Sequence, residues 1–298
     1  MIKDRTSTVG SRAHGTITDV RTRTAVWDRI RRDYIAILGT CLLSAVIVAA
    51  IIAPFLRTLD PVRTDVAVRL SGPSVKYPLG TDQLGRDVLS RVIFGARVSI
   101  AVALGSVVLA ALVGVTVGIA SGFSGGLLDE IMMRGMDFMF AFPAILMALT
   151  IVTVLGHSSA NLVVALGIVY APRFARIARA STLATKVETY VEAARSLGAS
   201  PFRIIHRHIL PNSLSPLLIV TTITLASAVL AEASLSFLGL GVQPPYPSWG
   251  RMLSEGKAYL EIASWLTVFP GLAVVATVLS FNLIGDSLRD ALDPRIRF

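Results

Sequence analysis

Six long apolar blocks decide what this chain can fold into. A hydrocarbon core about 30 Å thick is crossed by a helix of roughly 20 apolar residues, and each block is close to that length. Only 16% of the 298 residues are charged and the mean hydropathy is +0.68, which is typical of a multi-spanning membrane protein. We therefore predict an all-α integral membrane fold with six transmembrane helices, near residues 35–56, 98–121, 137–156, 160–178, 214–238 and 264–285.

The distribution of Lys and Arg orients these spans. Cytoplasmic loops collect basic residues, and most of the 28 Lys and Arg residues fall on the side that holds both termini. We predict that both termini are cytoplasmic and that residues 1–34 form a tail, which lacks the apolar core of a cleaved signal peptide. Loop 57–97 is then extracytoplasmic, and its stretch 86–94 is a candidate for an amphipathic helix on the membrane surface.

The sequence offers no pattern for catalysis or for a metal site. It lacks the GxxxxGK[ST] and HExxH patterns, and its four histidines are widely scattered. Cys41 is the only cysteine, so an intrachain disulfide is excluded. The formal net charge of +9 suits a membrane face that meets anionic lipid, so nucleic acid is not needed as a partner. We expect no enzyme activity, no cofactor and no metal in this chain.

One basic segment between two apolar blocks, Glu192 to Asn212, reads EAARSLGASPFRIIHRHILPN. Its first residues favour a helix, Gly198 permits a sharp turn, and Ser200 followed by Pro201 can open a second short helix. The segment resembles the EAA loop of permease subunits in ATP-binding-cassette importers, and its HILPN ending resembles the dipeptide, oligopeptide and nickel branch of that family. The matching positions are Glu192, Ala193, Ala194, Gly198, Leu210 and Pro211.

The resemblance implies that loop 186–212 carries a short coupling helix that fits a groove on an ATPase subunit. ATP and Mg would be bound by partner ATPase subunits and not by this chain. The alternative is an ordinary solvated basic loop. The residues predicted to couple to the ATPase are Glu192, Ala193, Ala194, Gly198, Ala199, Ser200, Phe202 and Arg203.

Two stretches nearer the amino terminus resemble the same branch. In Pro78–Ala101 we expect a turn that either contacts substrate or braces the outer face, and bracing is the favoured role. In the stretch that ends at Pro143, Arg134 stands at helical spacing from Asp129 and Asp137 and is expected to pair with either one. Pro143 lies within the third predicted span, where it can kink the helix; such a kink suits a gate helix and is also found in many static bundles.

A third stretch, Ala231–Leu253, joins the fifth span to an outer loop. Glu232 lies near the end of that span, where an ionisable side chain is costly unless it faces a cavity or the protein interior. It is therefore a candidate for the transport pathway or for a structural cap. The resemblance implies that the Pro-rich outer loop helps to receive a substrate-binding protein, and its candidate contacts are Tyr246, Trp249 and Arg251.

The resemblance covers much of the chain and implies a type I importer architecture for residues 35–298, in a bacterial plasma membrane. Its partners would be a second homologous permease subunit, two ATP-binding subunits, an extracytoplasmic substrate-binding protein and the lipid bilayer. Dipeptides or oligopeptides are the expected cargo, and nickel or haem are alternatives within the family. A channel, a secondary transporter and a membrane scaffold are rivals from other classes. The sequence lacks the internal repeats and intramembrane charge clusters that are usual in secondary carriers.

Overall fold

The computed structural model describes residues 33–53 and 60–292, and the regular secondary structure in those ranges is helical throughout. The predicted all-α fold is confirmed for this part of the chain. The predictions for the amino-terminal tail before residue 33, and for the cytoplasmic ending beyond residue 292, lie outside the described residues. The helices are α1 (Tyr34–Ile52), α2 (Val88–Ser124), α3 (Gly126–Phe140), α4 (Ala144–Leu155), α5 (Ser159–Thr185), α6 (Thr189–Ser196), α7 (Pro201–Ile204), α8 (Leu210–Phe237), α9 (Trp249–Gly256) and α10 (Trp265–Leu292).

Within residues 33–53 and 60–292, five helices are long and apolar enough to cross a membrane, and a sixth crossing is present if α3 and α4 are counted together. The five are α1, α2, α5, α10 and the continuous 37-residue helix Pro201–Phe237. That helix consists of α7, a π-helical turn at Ile205–Ile209 and α8. The prediction of six spans thus corresponds to five continuous helices and one broken pair.

Pro143 breaks the third predicted span, which was expected to be a single kinked helix over 137–156. α3 ends at Phe140, α4 begins at Ala144, and the two are bent by 93°. Proline lacks an N–H for the helical ladder and disfavours the α conformation of the residue before it. The 12 residues of α4 span about 18 Å at 1.5 Å per residue, which is less than the thickness of a bilayer core.

α2 starts well before the predicted second span and corrects two expectations about the outer loop. The prediction placed the helix at 98–121, and the structure begins it at Val88, where the Asp87 carboxylate accepts a hydrogen bond from the Ser90 backbone N–H at 3.0 Å. The stretch 86–94 is therefore not a separate surface helix. Its Arg91 is buried among protein groups, and the loop that precedes α2 ends at residue 87.

α2 and α5 are in backbone contact along a stripe of glycines. A Cβ atom at Gly118 would lie 2.3 Å from the Ala175 carbonyl oxygen, and one at Gly114 would lie 2.3 Å from that of Ala171. Only glycine fits at such distances. Gly114, Gly118 and Gly122 lie on one face of α2, and the close backbone approach there makes α2 and α5 a stiff pair.

Contacts between helix ends show which loops share a face of the bundle. The Ser287 hydroxyl donates to the Asp33 carboxylate, so α1 begins where α10 ends. Lys186 Nζ donates to the Gly122 carbonyl at 2.7 Å, so α5 ends beside the end of α2. Segment 186–212 lies at this end of the bundle, and loop 60–87 lies with α9 at the opposite end.

Candidate functional site

Segment 186–212, called the coupling segment below, folds as two short helices around one left-handed residue. α6 ends just before Gly198, whose φ is +82°, a conformation that costs a residue with a Cβ about 1–2 kcal/mol. Ser200 then accepts a hydrogen bond from the Arg203 backbone N–H at 3.4 Å, and Pro201 opens α7. The turn at Gly198 and the cap at Ser200 are therefore as the sequence predicts.

Three apolar side chains fasten the coupling segment to the bundle. Val191, Ile204 and Ile209 are at most 2% exposed and pack into the same core as α2 and α8. Burial of side chains of this size contributes about 1.5–3 kcal/mol each. The segment is thus anchored on the side that faces the bundle and has a defined orientation relative to the spans.

The outer face of the coupling segment presents two large apolar side chains to solvent. Leu197 is 89% exposed and Phe202 is 78% exposed. The Phe202 ring stacks on His206, with ring centroids 5.9 Å apart and an interplanar angle of 5°. Rigidly presented large side chains of this kind serve as anchors in protein interfaces. We call this exposed group the coupling surface, and it consists of Glu192, Ala193, Arg195, Leu197, Phe202 and Arg203.

The predicted coupling residues all fall on these two helices and on the turn between them. Ala194 and Ala199 are half-buried against the bundle, and the other six predicted positions are exposed. Leu197 is missing from the prediction. The sequence could have indicated it, because Leu197 directly precedes the left-handed Gly198, and a side chain at such a helix end is turned outward.

At the opposite end of the bundle, a cluster of charges joins the outer loop to α2 and α9. Arg86 Nε lies 2.6 Å from Asp82 Oδ2, and Arg91 Nη2 lies 3.0 Å from Glu255 Oε2. Arg251 Nε lies 3.0 Å from the other oxygen of Glu255. Charge-assisted hydrogen bonds compensate these groups for their removal from water. We call these five residues the charge cluster. Arg91, inside an apolar helix, is the sequence signal that points to it.

The outer loop is held close to the bundle by backbone contacts. A Cβ atom at Gly85 would lie 1.8 Å from the Asp65 carbonyl oxygen, and Trp265 Nε1 donates to the Thr81 carbonyl at 3.2 Å. Burial raises the pKa of the Asp87 carboxyl at the end of this loop. These contacts agree with the bracing role expected for this stretch.

Trp249 lies inside the bundle, which corrects one predicted contact for a binding protein. Its side chain is 1% exposed, its indole N–H donates to the Val92 carbonyl at 3.0 Å, and its ring packs on Gly95. The absence of a side chain at Gly95 leaves a space that the indole fills. Tyr246 is 63% exposed and Arg251 is half-buried, so these two remain available to a partner.

Glu232 lies in the interior of the subunit and does not reach its surface. It is fully buried, and its Oε1 accepts a hydrogen bond from the Ser236 hydroxyl at 2.7 Å. Ser99 of α2 and Ser248 at the start of α9 face the same carboxylate, while Oε2 has no hydrogen-bond partner among the described residues. Its position joins three helices, and this favours the structural alternative over a place in the pathway.

Asp129 and Asp137 of α3 pair with α5, which corrects their expected pairing with Arg134. Arg179 donates from Nε and Nη2 to the two oxygens of Asp129, both at 2.7 Å. Arg176 Nη2 donates to Asp137 Oδ1 at 2.7 Å. The Arg134 side chain is 79% exposed on the outer side of α3. Tertiary packing brings the α5 guanidinium groups within reach of both carboxylates, and these pairs replace the local ones.

The described residues offer no ligand set for a metal ion, since no three His, Cys, Asp or Glu side chains among them are close enough together. The polar groups that the fold does bring together are carboxylates and guanidinium groups, which hold helices in place.

Two family descriptions match the chain. Residues 114–298 match the family described as binding-protein-dependent transport system inner membrane component. Residues 23–73 match the N-terminal transmembrane domain of oligopeptide transport permease C. Together the two matches cover the coupling segment, the outer loop in part and most of the spans.

Curated relatives align with almost the whole chain. A putative peptide transport system permease protein of Brucella suis is 46% identical over 260 residues, which is 87% of this chain and 88% of the relative. A glutathione transport system permease protein of Escherichia coli is 44% identical over 272 residues, covering 91% and 90%. A dipeptide transport system permease protein of Alkalihalophilus pseudofirmus is 40% identical over 269 residues, covering 90% and 88%.

A solved structure shows a similar fold. The MetNI methionine ABC transporter, in inward-facing conformations, contains a chain that superposes with a TM-score of 0.56 at 19% sequence identity. The match covers 68% of the present chain and 96% of that chain. The likeness shows a shared transmembrane architecture.

Proposed function

This chain belongs to the family of inner membrane components of binding-protein-dependent transport systems, and we propose that it forms half of the pathway of an ATP-driven peptide importer. Relatives named as peptide, dipeptide and glutathione permeases support this cargo, and glutathione is itself a short peptide. Nickel and haem are kept as alternative cargoes for the test below.

The observation that carries the coupling role is the coupling surface. Leu197 and Phe202 stand exposed on a segment that is anchored to the bundle. Burial of each side chain against a partner would return about 1.5–3 kcal/mol. Arg195 and Arg203 are exposed beside them and would favour an acidic rim on the partner. We propose that an ATPase subunit covers this surface.

Motion of the ATPase subunits would reach the spans through the base of the coupling segment. Lys186 is bound to the Gly122 carbonyl, and α2 and α5 are in backbone contact, so the two helix ends would move together. Shifting a two-state gate from 1:99 to 99:1 takes about 5.5 kcal/mol. The chain carries no GxxxxGK[ST] pattern, so this free energy is proposed to come from ATP and Mg bound to two partner subunits.

The two ends of the bundle are proposed to face opposite compartments. The end with the coupling segment would be cytoplasmic, in keeping with its basic residues. At the other end, Tyr246 and Arg251 would meet the extracytoplasmic substrate-binding protein, on a surface that the charge cluster stiffens. A second, homologous permease subunit would complete the pathway.

Reconstitution tests the proposed function. The chain is placed in liposomes with its partner permease and both ATPase subunits, and uptake of a labelled dipeptide is measured with the binding protein outside. We expect uptake that requires both ATP and the binding protein, and background uptake with a hydrolysis-deficient ATPase as the matched control. Uptake of nickel or haem in place of peptide would contradict the proposed cargo, and uptake without ATP would contradict the importer.

A further inference from the structure

α3 is attached to the bundle mainly by polar contacts. None of its residues is buried, whereas α4, beyond the break at Pro143, buries Ala148 and Val152 in an apolar cluster with α5. Apolar packing therefore fixes α4, and α3 depends on something else for its position. The break leaves α3 free to change its angle relative to α4.

Two carboxylates supply the attachment of α3 to α5. Asp129 is held in bidentate fashion by Arg179 at 2.7 Å, and the Ser121 hydroxyl also donates to it. Asp137 is bound by Arg176 at 2.7 Å. The Asp129 and Arg179 side chains are 15% and 35% exposed, against 52% and 47% for Asp137 and Arg176. The planar fork of Arg179 restricts geometry as well as distance, so the Asp129 pair is the stronger link.

Arg179 lies near the end of α5 that joins the coupling segment. It lies in the last two turns of α5, shortly before Lys186, which begins the coupling segment and binds the end of α2. A Cβ atom at Gly122 would lie 3.0 Å from the Arg179 carbonyl oxygen. The backbone of Arg179 is therefore tied to the stiff α2–α5 pair, and its side chain is tied to α3.

We propose that Asp129 and Arg179 are positioning residues that make α3 follow the end of α5, so that displacement of the coupling segment changes the angle of the broken helix at Pro143. This inference rests on the proposed function, because the displacement is the one that ATPase subunits would impose. The ion pair suits the task, since it transmits force along a fixed fork geometry while leaving α3 unpacked and able to swing.

Transport per ATP hydrolysed is the quantity that tests this link. In the reconstituted complex, D129N and R179Q are expected to lower dipeptide uptake per ATP hydrolysed by at least about fivefold, the lower end for coupling between sites. ATPase subunits should co-purify as with the wild type, because the coupling surface is unchanged. The charge exchange D129R/R179D is expected to restore the ratio to within about twofold.

The matched control is the exposed pair Glu130 and Arg134 on the same helix, whose charged atoms are 3.9 Å apart. E130Q should leave the ratio at the wild-type value. A D129N complex whose uptake per ATP hydrolysed equals that of the wild type would overturn the proposal, even if both rates are lower. So would an assembled charge-exchange complex whose ratio stays as low as that of the single variants.

A distance measurement separates this proposal from the proposed function. Spin labels are placed on α3 and α5, at the exposed positions 135 and 184, in the chain with Cys41→Ser. We expect one narrow distance in the wild type and a broadened distribution in D129N, whether or not the complex imports peptide. Equal distributions in the two chains would overturn the link, whereas a wild-type complex without peptide uptake would overturn the proposed function alone.

Discussion

Asn212 Nδ2 donates a hydrogen bond to the Tyr190 hydroxyl at 3.0 Å, so the residue where the chain leaves the coupling segment is bound to one near its beginning. Asn212 also donates to the His208 carbonyl at 2.7 Å, and the Tyr190 ring lies 5.6 Å from the His208 ring. The loop is closed at its base by these contacts. We therefore expect displacement of the coupling segment to move the adjoining ends of α5 and α8 together.

Removing the Tyr190 hydroxyl should loosen this base. Y190F loses one hydrogen bond, which contributes about 0.5–1.5 kcal/mol, and we expect a lower melting temperature and reduced ATP-driven uptake. Thermal unfolding of the purified complex measures the first effect. Y246F, at an exposed tyrosine of the opposite end, is the control for thermal unfolding, and its melting temperature should match that of the wild type. Equal melting temperatures for all three chains would contradict the closure.

Gly198 should not tolerate a side chain, for reasons of conformation alone. No atom lies within 4 Å of a Cβ built there, but its φ is +82°, so G198A adds strain of about 1–2 kcal/mol. This corresponds to a factor of about 5–30 in the population of the docking conformation, and ATPase co-purification should fall accordingly. Gly135 in α3 has the same open surroundings without a positive φ, so G135A should retain normal co-purification. If ATPase co-purification falls in both variants, the positive φ of Gly198 is not the cause.

Glu255 should be important for the stability of the outer end. It is shared by Arg86, Arg91 and Arg251, so E255Q leaves guanidinium groups without their counter-charge. We expect a loss on the order of 3 kcal/mol, the low end for a broken buried pair, because the Glu255 side chain is 19% exposed. Denaturant unfolding measures it, and E261Q on the exposed surface is the control. A change as small as that of the control would show that the cluster is dispensable.

Uptake and stability should depend more on the polar atoms of the Glu232 side chain than on its charge. In E232Q the amide can accept from Ser236 and donate toward Ser99 or Ser248, so uptake should stay within about twofold of the wild type. E232A removes these contacts and leaves a cavity, and unfolding measurements should show a cost of about 1–3 kcal/mol. If E232Q abolishes uptake in a normally folded complex, the carboxylate belongs to the pathway after all.

The sequence predicts the membrane class, the spans and the geometry of the coupling segment, because each rests on local chemistry. Apolar length decides the spans, glycine is needed for the left-handed turn at Gly198, and Ser200 is a standard helix cap. The family resemblance adds which partner such a segment meets. These features need no knowledge of contacts between distant residues.

The features that the sequence does not predict depend on contacts between residues far apart in the chain. Arg134 has the i,i+3 spacing for Asp137, but Arg176 comes from another helix and binds that carboxylate. Trp249 follows a run of prolines that suggests a surface loop, and the space for its ring is made by Gly95. Pro143 is compatible with a kink or a break, and the choice depends on how α3 and α4 pack separately.

The affinity of the ATPase subunit for the permease tests the coupling surface most directly. The proposal predicts that F202A weakens binding at least about tenfold, which is about 1.4 kcal/mol and less than the burial of the whole ring. V75A removes a fully exposed apolar side chain from the opposite end and should leave the dissociation constant unchanged. An F202A permease that binds its ATPase subunits with wild-type affinity would contradict the coupling role of this segment.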